Sequence, residues 1–426
     1  MENSQDSHST THQSSNFLLQ KAEAGSMPDM FARFGICKLL HDFANNDLSQ
    51  GGSKYCDIAE FIDRYMRSSE DASTDGELSN MKHSELPAEF YELCMGDYLK
   101  NSCGYWPELE WHFVQEKQST SLYKDVITGT SGMVRDFEKN KSIRQILTKA
   151  EVNMVRVSLA RAEVRERQYI LDLGCGWGSA LFYALETYSH VKVVGVTNSQ
   201  AQADYIKKKA QSKRVNDRLL VIVSNIKNFT AESFGKQVKD FLGKERFDRI
   251  YSIEAFEYIR NWERVLNRLQ EEWLNDEGKI FIHFVAHKTT AYKHDNSTWI
   301  GQNFLKEKIV ASHDLVKNLD QTIGKKLVIE AEYKVNGRHY SKTAEAWLKL
   351  LDQDKGRILK IFEQAYGKST AKIWYNRWRV YFLMLAEMFG MREGTEWFAS
   401  NYLLRNIKAK VPEKEEKKTE EIPKEK

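Results

Sequence analysis

The sequence predicts an α/β fold, in which a parallel β-sheet carries helices on both faces and further helices are added before and after it. Between residues 169 and 286, short β-type runs alternate with amphipathic segments, which is the pattern of βαβ units. The first run, YILDL, leads into a glycine-rich turn, and the flanking regions repeat apolar residues at helical spacing. Together these observations favour a doubly wound sheet with helical additions.

The part of the chain before the sheet contains two kinds of segment. Residues 1–25 are rich in Ser, Thr, Gln and His, which predicts a disordered tail. Residues 26–150 carry helical repeats such as Ile58, Phe61 and Tyr65, so a helical region is expected. Within it, residues 110–145 are expected to form an insertion or a lid.

The sheet domain is expected over residues 151–407. Its predicted strands are YILDL, VKVVGV, LLVIV, FDRIYSI and KIFIHFVA, and its predicted helices include GSALFYALETY, SQAQADYIKKKA and ERVLNRLQEEWL. From about residue 300 the pattern becomes mainly helical, with KLVIEAEYKV as an edge strand before SKTAEAWLKLLDQ and IWYNRWRVYFLMLAEMF. Residues 408–426 have mixed charge and two prolines, which predicts a second disordered tail.

The composition narrows the range of partners. The 426 residues include 63 basic and 60 acidic side chains, a net charge of +3, and this balance argues against a nucleic-acid partner. No apolar run reaches the roughly 18 residues needed to span a bilayer, and the N-terminus lacks the pattern of a secretory signal. The five cysteines form no CxxC pair, so neither a disulfide framework nor a metal site is expected. A cytoplasmic protein is expected, and its oligomeric state is left open.

The turn after YILDL has the sequence DLGCGWG. Asp172 ends the strand, and Gly174, Gly176 and Gly178 follow at every second position. Glycine allows a sharp turn and a close approach of backbone to ligand because it lacks a Cβ. A dinucleotide site would place its third glycine one residue later and an acid after the second strand, where Thr197 stands here. The spacing therefore favours a nucleoside-type ligand without phosphates, and S-adenosylmethionine fits, its ammonium facing Asp172.

The segments LDLGCGWG, VVGVTNSQAQADYI, FDRIYSIEAFEY and KIFIHFVAHKTTAY together resemble the methyltransferase group that contains the cyclopropane fatty acid synthases and the coclaurine-type N-methyltransferases. The resemblance runs from Leu86 to Asn406. FIHFVAHKTTAY, GRHYSKTAEAWLKLLDQ, RWRVYFLMLAEMFG and GTEWFASNYLL are more similar to the coclaurine branch. The resemblance implies a Rossmann-like class I methyltransferase sheet, S-adenosylmethionine as cofactor, S-adenosylhomocysteine as product, and an acceptor pocket built from the N-terminal and C-terminal helices.

The same resemblance implies a set of cofactor-binding residues. The positions that match the family's motifs are Ser102, Asp172, Gly174, Gly176, Gly178, Thr197, Asn198, Gln202, Asn225 and Ile226. Two positions depart from the family pattern: Asn101 stands in place of a tyrosine and Asn225 in place of an aspartate. Asparagine keeps a hydrogen-bond acceptor at each position, so an adenine contact at Asn225 remains compatible with the sequence.

The candidate catalytic centre follows the fourth predicted strand, where SIEAFEY carries Glu254 and Glu257. Ligands of open α/β sheets bind outside the carboxyl ends of the strands, so both carboxylates are expected at the ligand-binding edge of the sheet. The coclaurine branch has a histidine where this chain has Tyr258. A phenol with a pKa near 10 is a poor base at neutral pH, so Glu257, supported by Glu254, is the predicted general base.

A second set of residues matches the cyclopropane synthase branch. Cys103, Glu257, His283 and Tyr340 correspond to the residues that hold a bicarbonate ion there, so bicarbonate is a further cofactor if the chain follows that branch. His287 and Lys288 are candidates for the pocket rim, and Trp378 and Phe382 are candidates for an aromatic acceptor wall.

Three functions remain open from the sequence. The first is N-methylation of a small aromatic or cyclic amine. The second is cyclopropane-synthase-type alkylation of an unsaturated lipid. The third is a catalytically silent relative that binds the cofactor, as Tyr258, Asn225 and Asn101 would allow.

Overall fold

The computed structural model describes residues 19–48, 57–67, 86–109, 142–323 and 326–407. Within these ranges, no helix is both long enough and apolar enough to cross a bilayer. Residues 1–18, 110–141 and 408–426 lie outside the described part, so the N-terminal tail up to residue 18, the insertion up to residue 141 and the C-terminal tail stay predictions.

Nine strands form the sheet of the described chain. They are β1 (Tyr169–Leu173), β2 (Lys192–Thr197), β3 (Leu219–Val223), β4 (Phe247–Ile253), β5 (Leu274–His287), β6 (Tyr292–Lys293), β7 (Ile309–Ser312), β8 (Leu327–Val335) and β9 (Trp397–Asn406).

The α-helices in the described ranges are α1 (Asp29–Asp42), α2 (Ile58–Phe61), α3 (Ala88–Cys94), α4 (Ile143–Arg161), α5 (Ser179–Thr187), α6 (Gln200–Ser212), α7 (Ala231–Leu242), α8 (Trp262–Arg268), α9 (Trp299–Asn303), α10 (Leu315–Ile323), α11 (Gly337–Gln353), α12 (Lys355–Tyr366) and α13 (Ala371–Gly394). Helices α1, α2 and α8 continue as π-helical turns, and short 3₁₀ turns are formed by Asn216–Arg218, Ile226–Asn228 and Phe256–Tyr258.

The sheet has the order β3-β2-β1-β4-β5, and all of these neighbours are parallel. Strand β9 runs antiparallel to β5 and also pairs with β8. Asp172 at the end of β1 is in register with Gly195 of β2 and Tyr251 of β4, so the loops after these strands leave the sheet at one edge. That edge is where ligands of open α/β sheets bind.

The strands are apolar on both faces because helices cover both faces. Ile170 and Val193 pack in the same core as residues of α4, α5 and α6. Leu171 and Val194 point the other way, into a core shared with α7, α8 and α10. This arrangement explains why the strands read as continuous apolar runs rather than as an alternating pattern.

A third core holds the helical additions together. Phe90 of α3, Leu147 of α4, Trp347 of α11, Phe362 of α12 and Trp378 of α13 all belong to it. We call the group α1, α3, α11, α12 and α13 the helical cap. It combines elements from before and after the sheet, so the helical cap is not contiguous in sequence.

Two predicted boundaries differ from the structure. Helix α4 begins at a capping box of Ser142 and Gln145 and runs through the expected boundary at residue 150, because one end packs in the helical cap and the other on the sheet. Residues 19–23, predicted as part of a disordered tail, are helical, and the Glu23 carboxylate accepts hydrogen bonds from Trp299 and Arg377.

The five strands predicted for the parallel sheet are confirmed, and KLVIEAEYKV forms the edge strand β8. Strand β9 was not predicted, although it lies between two other strands in the sheet. The β9 segment follows the long helix α13 after only two residues, and Gly394, the last residue of that helix, is the single turn-forming residue at the junction. The local sequence alone therefore does not separate the strand from the helix.

Candidate active site

A cavity of about 310 Å³ lies at the carboxyl ends of β1, β2 and β4, between the sheet and the helical cap. Its volume is in the range of small-molecule sites. The predicted site residues that line it are Ser102, Asp172, Gly174, Gly176, Thr197, Asn198, Gln202, Asn225, Ile226, Glu254, Glu257 and Tyr340. The structure therefore brings together residues from six separate stretches of the chain.

The glycine turn has the backbone that its sequence predicts. Gly174, Gly176 and Gly178 all have positive φ angles, of 83°, 53° and 86°. A Cβ on Gly174 would lie 2.5 Å from the Cβ of Ala255, whereas one on Gly176 would project into open space within the cavity lining. Gly178 does not line the cavity and instead precedes α5 as its N-cap. Gly174 and Gly176 thus keep the backbone close to any ligand, and Gly178 starts the helix.

Asp172 places a buried carboxyl group at the base of this turn. The side chain is 2% exposed, and its Oδ2 atom has no hydrogen-bond partner among the described residues. Burial raises the pKa of the Asp172 carboxyl to about 8. A ligand ammonium at this position would restore the ionised carboxylate and satisfy the free oxygen. The residues present therefore fit the amino-acid arm of S-adenosylmethionine.

The polar residues after β2 and β3 form the neighbouring wall. Thr197 donates a hydrogen bond from its hydroxyl to Gln202 Oε1 at 2.6 Å, which fixes both side chains at the cavity edge. Asn225, which replaces the family's aspartate, accepts a hydrogen bond from the Lys227 backbone N–H at 3.1 Å. The asparagine side chain therefore caps the 3₁₀ turn Ile226–Asn228. Asn101 also lines the cavity, and its side chain is exposed.

Glu254 is held by several donors. Its Oε1 accepts a hydrogen bond from the Cys103 backbone N–H at 2.9 Å, its Oε2 accepts one from the Tyr340 hydroxyl at 2.9 Å, and His283 Nε2 lies 3.4 Å away. Burial opposes ionisation, but His283, the nearby Lys100 charge and the Cys103 N–H hold the pKa of Glu254 below its usual value. Glu254 is thus a fixed negative charge, and its left-handed backbone (φ 51°) is consistent with a strained functional position.

Glu257, unlike Glu254, has one carboxylate oxygen without a described hydrogen-bond partner. Its Oε1 accepts a hydrogen bond from the Val285 N–H at 2.6 Å, while its Oε2 has no partner among the described residues. Burial and the neighbouring Glu254 charge raise the pKa of Glu257 to about 7. A carboxylate with a free oxygen and a pKa near neutrality is suited to accept a proton from a bound molecule.

Lys100 is a site residue that the sequence analysis missed. Its side chain is 1% exposed, and its ammonium donates to the Ser102 hydroxyl and, at 2.9 Å, to the Cys103 carbonyl. Burial lowers the pKa of Lys100, and the Glu254 charge opposes that shift. The only sequence signal was its position directly before the matched Asn101–Cys103 segment, which does not reveal burial.

The four residues that match the bicarbonate site do not all reach the cavity. Glu257 and Tyr340 line it, but Cys103 and His283 do not. The Cys103 thiol donates to the Gly104 carbonyl at 3.2 Å, and His283 is fully buried beneath Glu254. Burial lowers the pKa of His283, and the hydrogen bond and charge of Glu254 oppose that shift.

The rim predicted from His287 and Lys288 is wrong. His287 Nε2 lies 3.1 Å from Glu396 and Lys288 Nζ lies 2.9 Å from the same carboxylate, and neither residue lines the cavity. His287 is the last residue of β5, where it is in register with Trp397 of β9, and Lys288 follows directly.

The aromatic wall is larger than predicted. Trp378 lines the cavity, but Phe382 points into the helical cap against Trp347. Further cavity residues that the sequence analysis missed are Tyr91, Trp177, His294, Phe304, Lys308, Trp347, Tyr381, Leu385, Met388 and Phe389. Most lie on helices, where an aromatic stripe is usually core, so sequence periodicity does not single them out.

A parallel sheet with a glycine turn, a buried aspartate below it and two carboxylates after β4 defines an S-adenosylmethionine-dependent methyltransferase. The chain belongs to the mycolic acid cyclopropane synthetase family, which matches residues 72–395.

Two relatives to which the chain is similar over most of its length are N-methyltransferases. The chain is 27% identical over 402 residues to the (S)-coclaurine N-methyltransferase of Thalictrum flavum subsp. glaucum, covering 91% of this chain and 95% of the relative. It is 26% identical over 340 residues to the enzyme of the same name from Papaver somniferum, covering 78% and 82%.

Solved structures agree with the fold. A coclaurine N-methyltransferase bound to N-methylheliamine and SAH has a TM-score of 0.72 at 26% identity, over 91% of this chain and 98% of that one. A cyclopropane synthase from Mycobacterium tuberculosis has a TM-score of 0.54 at 16% identity, over 78% and 98%, which shows a shared fold alone.

Proposed function

We propose that this methyltransferase N-methylates a small aromatic or cyclic amine. The observation that carries the proposal is the unequal carboxylate pair in the cavity. Glu254 is saturated with donors and ionised, while Glu257 has a free oxygen and a pKa near 7. A base of this kind is what an amine acceptor needs, because the acceptor is mostly protonated at neutral pH and must lose a proton before it attacks.

When bound, S-adenosylmethionine supplies an electrophilic methyl group on its sulfonium. On the cofactor side, Asp172 would hold the ammonium, and Thr197, Gln202 and Asn225 would face the nucleoside. Ser102, held in place by Lys100, would complete this side of the cavity.

On the acceptor side, the negative charge of Glu254 would attract the protonated amine, and Glu257 Oε2 would take its proton. The neutral amine would then lie against aromatic walls that exclude water, among them Trp378 and Phe389. Because Tyr258 replaces the histidine of the coclaurine branch, Glu257 would act without an imidazole at that position.

The relatives support the amine acceptor, since they are named as coclaurine and pavine N-methyltransferases. The bicarbonate-dependent alternative has less support, because Cys103 and His283 do not line the cavity. We therefore propose that the reaction proceeds without bicarbonate.

The test uses purified full-length protein and S-adenosylmethionine labelled in its methyl group. One arm contains 1,2,3,4-tetrahydroisoquinoline and phenethylamine, and the other contains vesicles of unsaturated phosphatidylethanolamine and phosphatidylglycerol. We expect label on an amine, with no dependence on added bicarbonate. Label on lipid alone would contradict the proposal, and cofactor binding by calorimetry without transfer in either arm would indicate a silent relative.

A further inference from the structure

The acceptor side of the cavity contains a cluster of groups that the proposed chemistry does not use. Lys308, Tyr258, His294 and Tyr381 all line the cavity, and we call them the polar corner. They come from the turn after β4, the segment after β6, the residue before β7, and helix α13.

Sheet pairing explains how Lys308 reaches this position. Strand β4 pairs with β5 as far as His283. Further along the same edge of β5, β7 pairs with Ala286 and His287. Lys308 directly precedes β7, so it lies next to the carboxyl end of β4, where the turn bearing Glu257 and Tyr258 begins. The cation is therefore close to the proposed base but belongs to a different part of the chain.

Lys308 lacks a close anionic partner in the described part of the chain. Its Nζ atom lies 4.1 Å from the centroid of the Tyr258 ring, and no described carboxylate is within 4.0 Å. Two nearby cations, in contrast, do have an anionic partner. Lys293 Nζ lies 2.5 Å from Glu307 Oε2, and Arg260 binds the same carboxylate. The Glu257 charge acts on Lys308 only at longer range.

The charge on Lys308 is persistent. Burial disfavours it, but the Tyr258 and Tyr381 side chains keep the pKa of Lys308 above its usual value. Burial and the Lys308 charge lower the pKa of His294 to about 3, so that imidazole is neutral at pH 7. Lys308 is thus the single positive charge of the polar corner at neutral pH.

The walls beside the polar corner are aromatic. Phe304 and Tyr381 stack with ring centroids 4.3 Å apart and an interplanar angle of 2°, and Trp378 packs edge-on against Phe304 at 5.2 Å. A molecule that fills this space would meet carboxylates at Glu254 and Glu257, flat apolar surfaces, and a cation at Lys308.

We propose that the acceptor is an aromatic amino acid or a similar zwitterion, and that Lys308 binds its carboxylate while the amine faces Glu257. This inference rests on the proposed N-methylation. A partly buried ammonium is stabilised most by an anionic partner, because the attraction between opposite charges is screened less inside a cavity than in water. An acceptor with only an amine would leave Lys308 without that partner.

The test compares matched acceptors that differ only in the carboxylate: phenylalanine with phenethylamine, and 1,2,3,4-tetrahydroisoquinoline-3-carboxylate with 1,2,3,4-tetrahydroisoquinoline. We expect kcat/KM of the wild type to be higher for the carboxylate member of at least one pair by about tenfold or more. Lys308→Met should reduce that preference by about tenfold, and Lys308→Arg should keep most of it. Lys293→Met removes a cation that is ion-paired outside the cavity, and it should leave the preference unchanged.

The possible results distinguish a failure of the zwitterion proposal from a failure of the proposed N-methylation. Transfer to the simple amines with no preference for a carboxylate, or a Lys308→Met enzyme with the wild-type preference, would overturn the zwitterion proposal alone. Transfer to none of the four acceptors by a protein that binds S-adenosylmethionine would overturn both. If Lys308→Met does not fold, as judged by circular dichroism, Lys308→Gln takes its place as the variant that removes the charge, and an unchanged carboxylate preference in Lys308→Gln would overturn the zwitterion proposal.

Discussion

Replacing Glu257 by Gln removes the proposed proton acceptor with little change in shape. The amide oxygen can still accept the Val285 N–H hydrogen bond that Oε1 accepts at 2.6 Å, so the turn after β4 should keep its position. What is lost is the basic Oε2 atom, which has no other described partner. A positioned general base typically contributes about 10²–10⁴ in rate, so kcat should fall by that factor, or roughly 3–5 kcal/mol in activation free energy.

The pH profile tests the same residue independently. The base must be deprotonated, and burial with the Glu254 charge raises the pKa of Glu257 to about 7. The wild-type kcat should therefore rise as pH increases up to about 7 and become constant above it. In Glu257→Gln this inflection should disappear, while calorimetry should give nearly the wild-type affinity for S-adenosylmethionine.

Glu151 provides a matched control. It is fully buried, and burial raises its pKa to about 7 as well, but it binds the backbone N–H groups of Gly96 and Tyr98 and does not line the cavity. Glu151→Gln should keep the inflection. If Glu257→Gln retained kcat within about threefold, or if the inflection followed Glu151 instead, the assignment of the base would be wrong.

Three further predictions concern the cofactor side. Gly174→Ala would place a Cβ 2.5 Å from that of Ala255 on a left-handed backbone, so it should destabilise the protein by about 1–3 kcal/mol in chemical denaturation; an unchanged unfolding midpoint would refute this. Asp172→Asn should weaken binding of S-adenosylmethionine by about 10–100-fold in calorimetry, because it removes a charge-assisted contact; an affinity within about twofold of wild type would show that the ammonium binds elsewhere. Lys100→Met removes the donor to the Ser102 hydroxyl, so KM for the cofactor should rise by about tenfold with partial rescue in Lys100→Arg; equal KM values in all three proteins would leave Lys100 a purely structural role.

The sequence by itself determined the sheet and the cofactor end of the cavity. Strand β1, the glycine turn and Asp172 are adjacent in the chain, and their roles follow from local backbone geometry. Glu254 and Glu257 were also predictable, because residues after a parallel strand must lie at the ligand-binding edge. Each of these inferences needs only a short stretch of chain and a rule about strand ends.

Tertiary structure alone decided the surroundings of those two carboxylates, and with them the direction in which each pKa shifts. Glu254 and Glu257 are three residues apart in one motif. His283, Lys100 and the Cys103 N–H hold the pKa of the first below its usual value, whereas burial raises the pKa of the second. Lys308 joins them only because β7 replaces β4 along the edge of β5. Burial and long-range hydrogen bonds set the charge of a side chain, and both depend on segments distant in sequence, so residue type and spacing do not determine them.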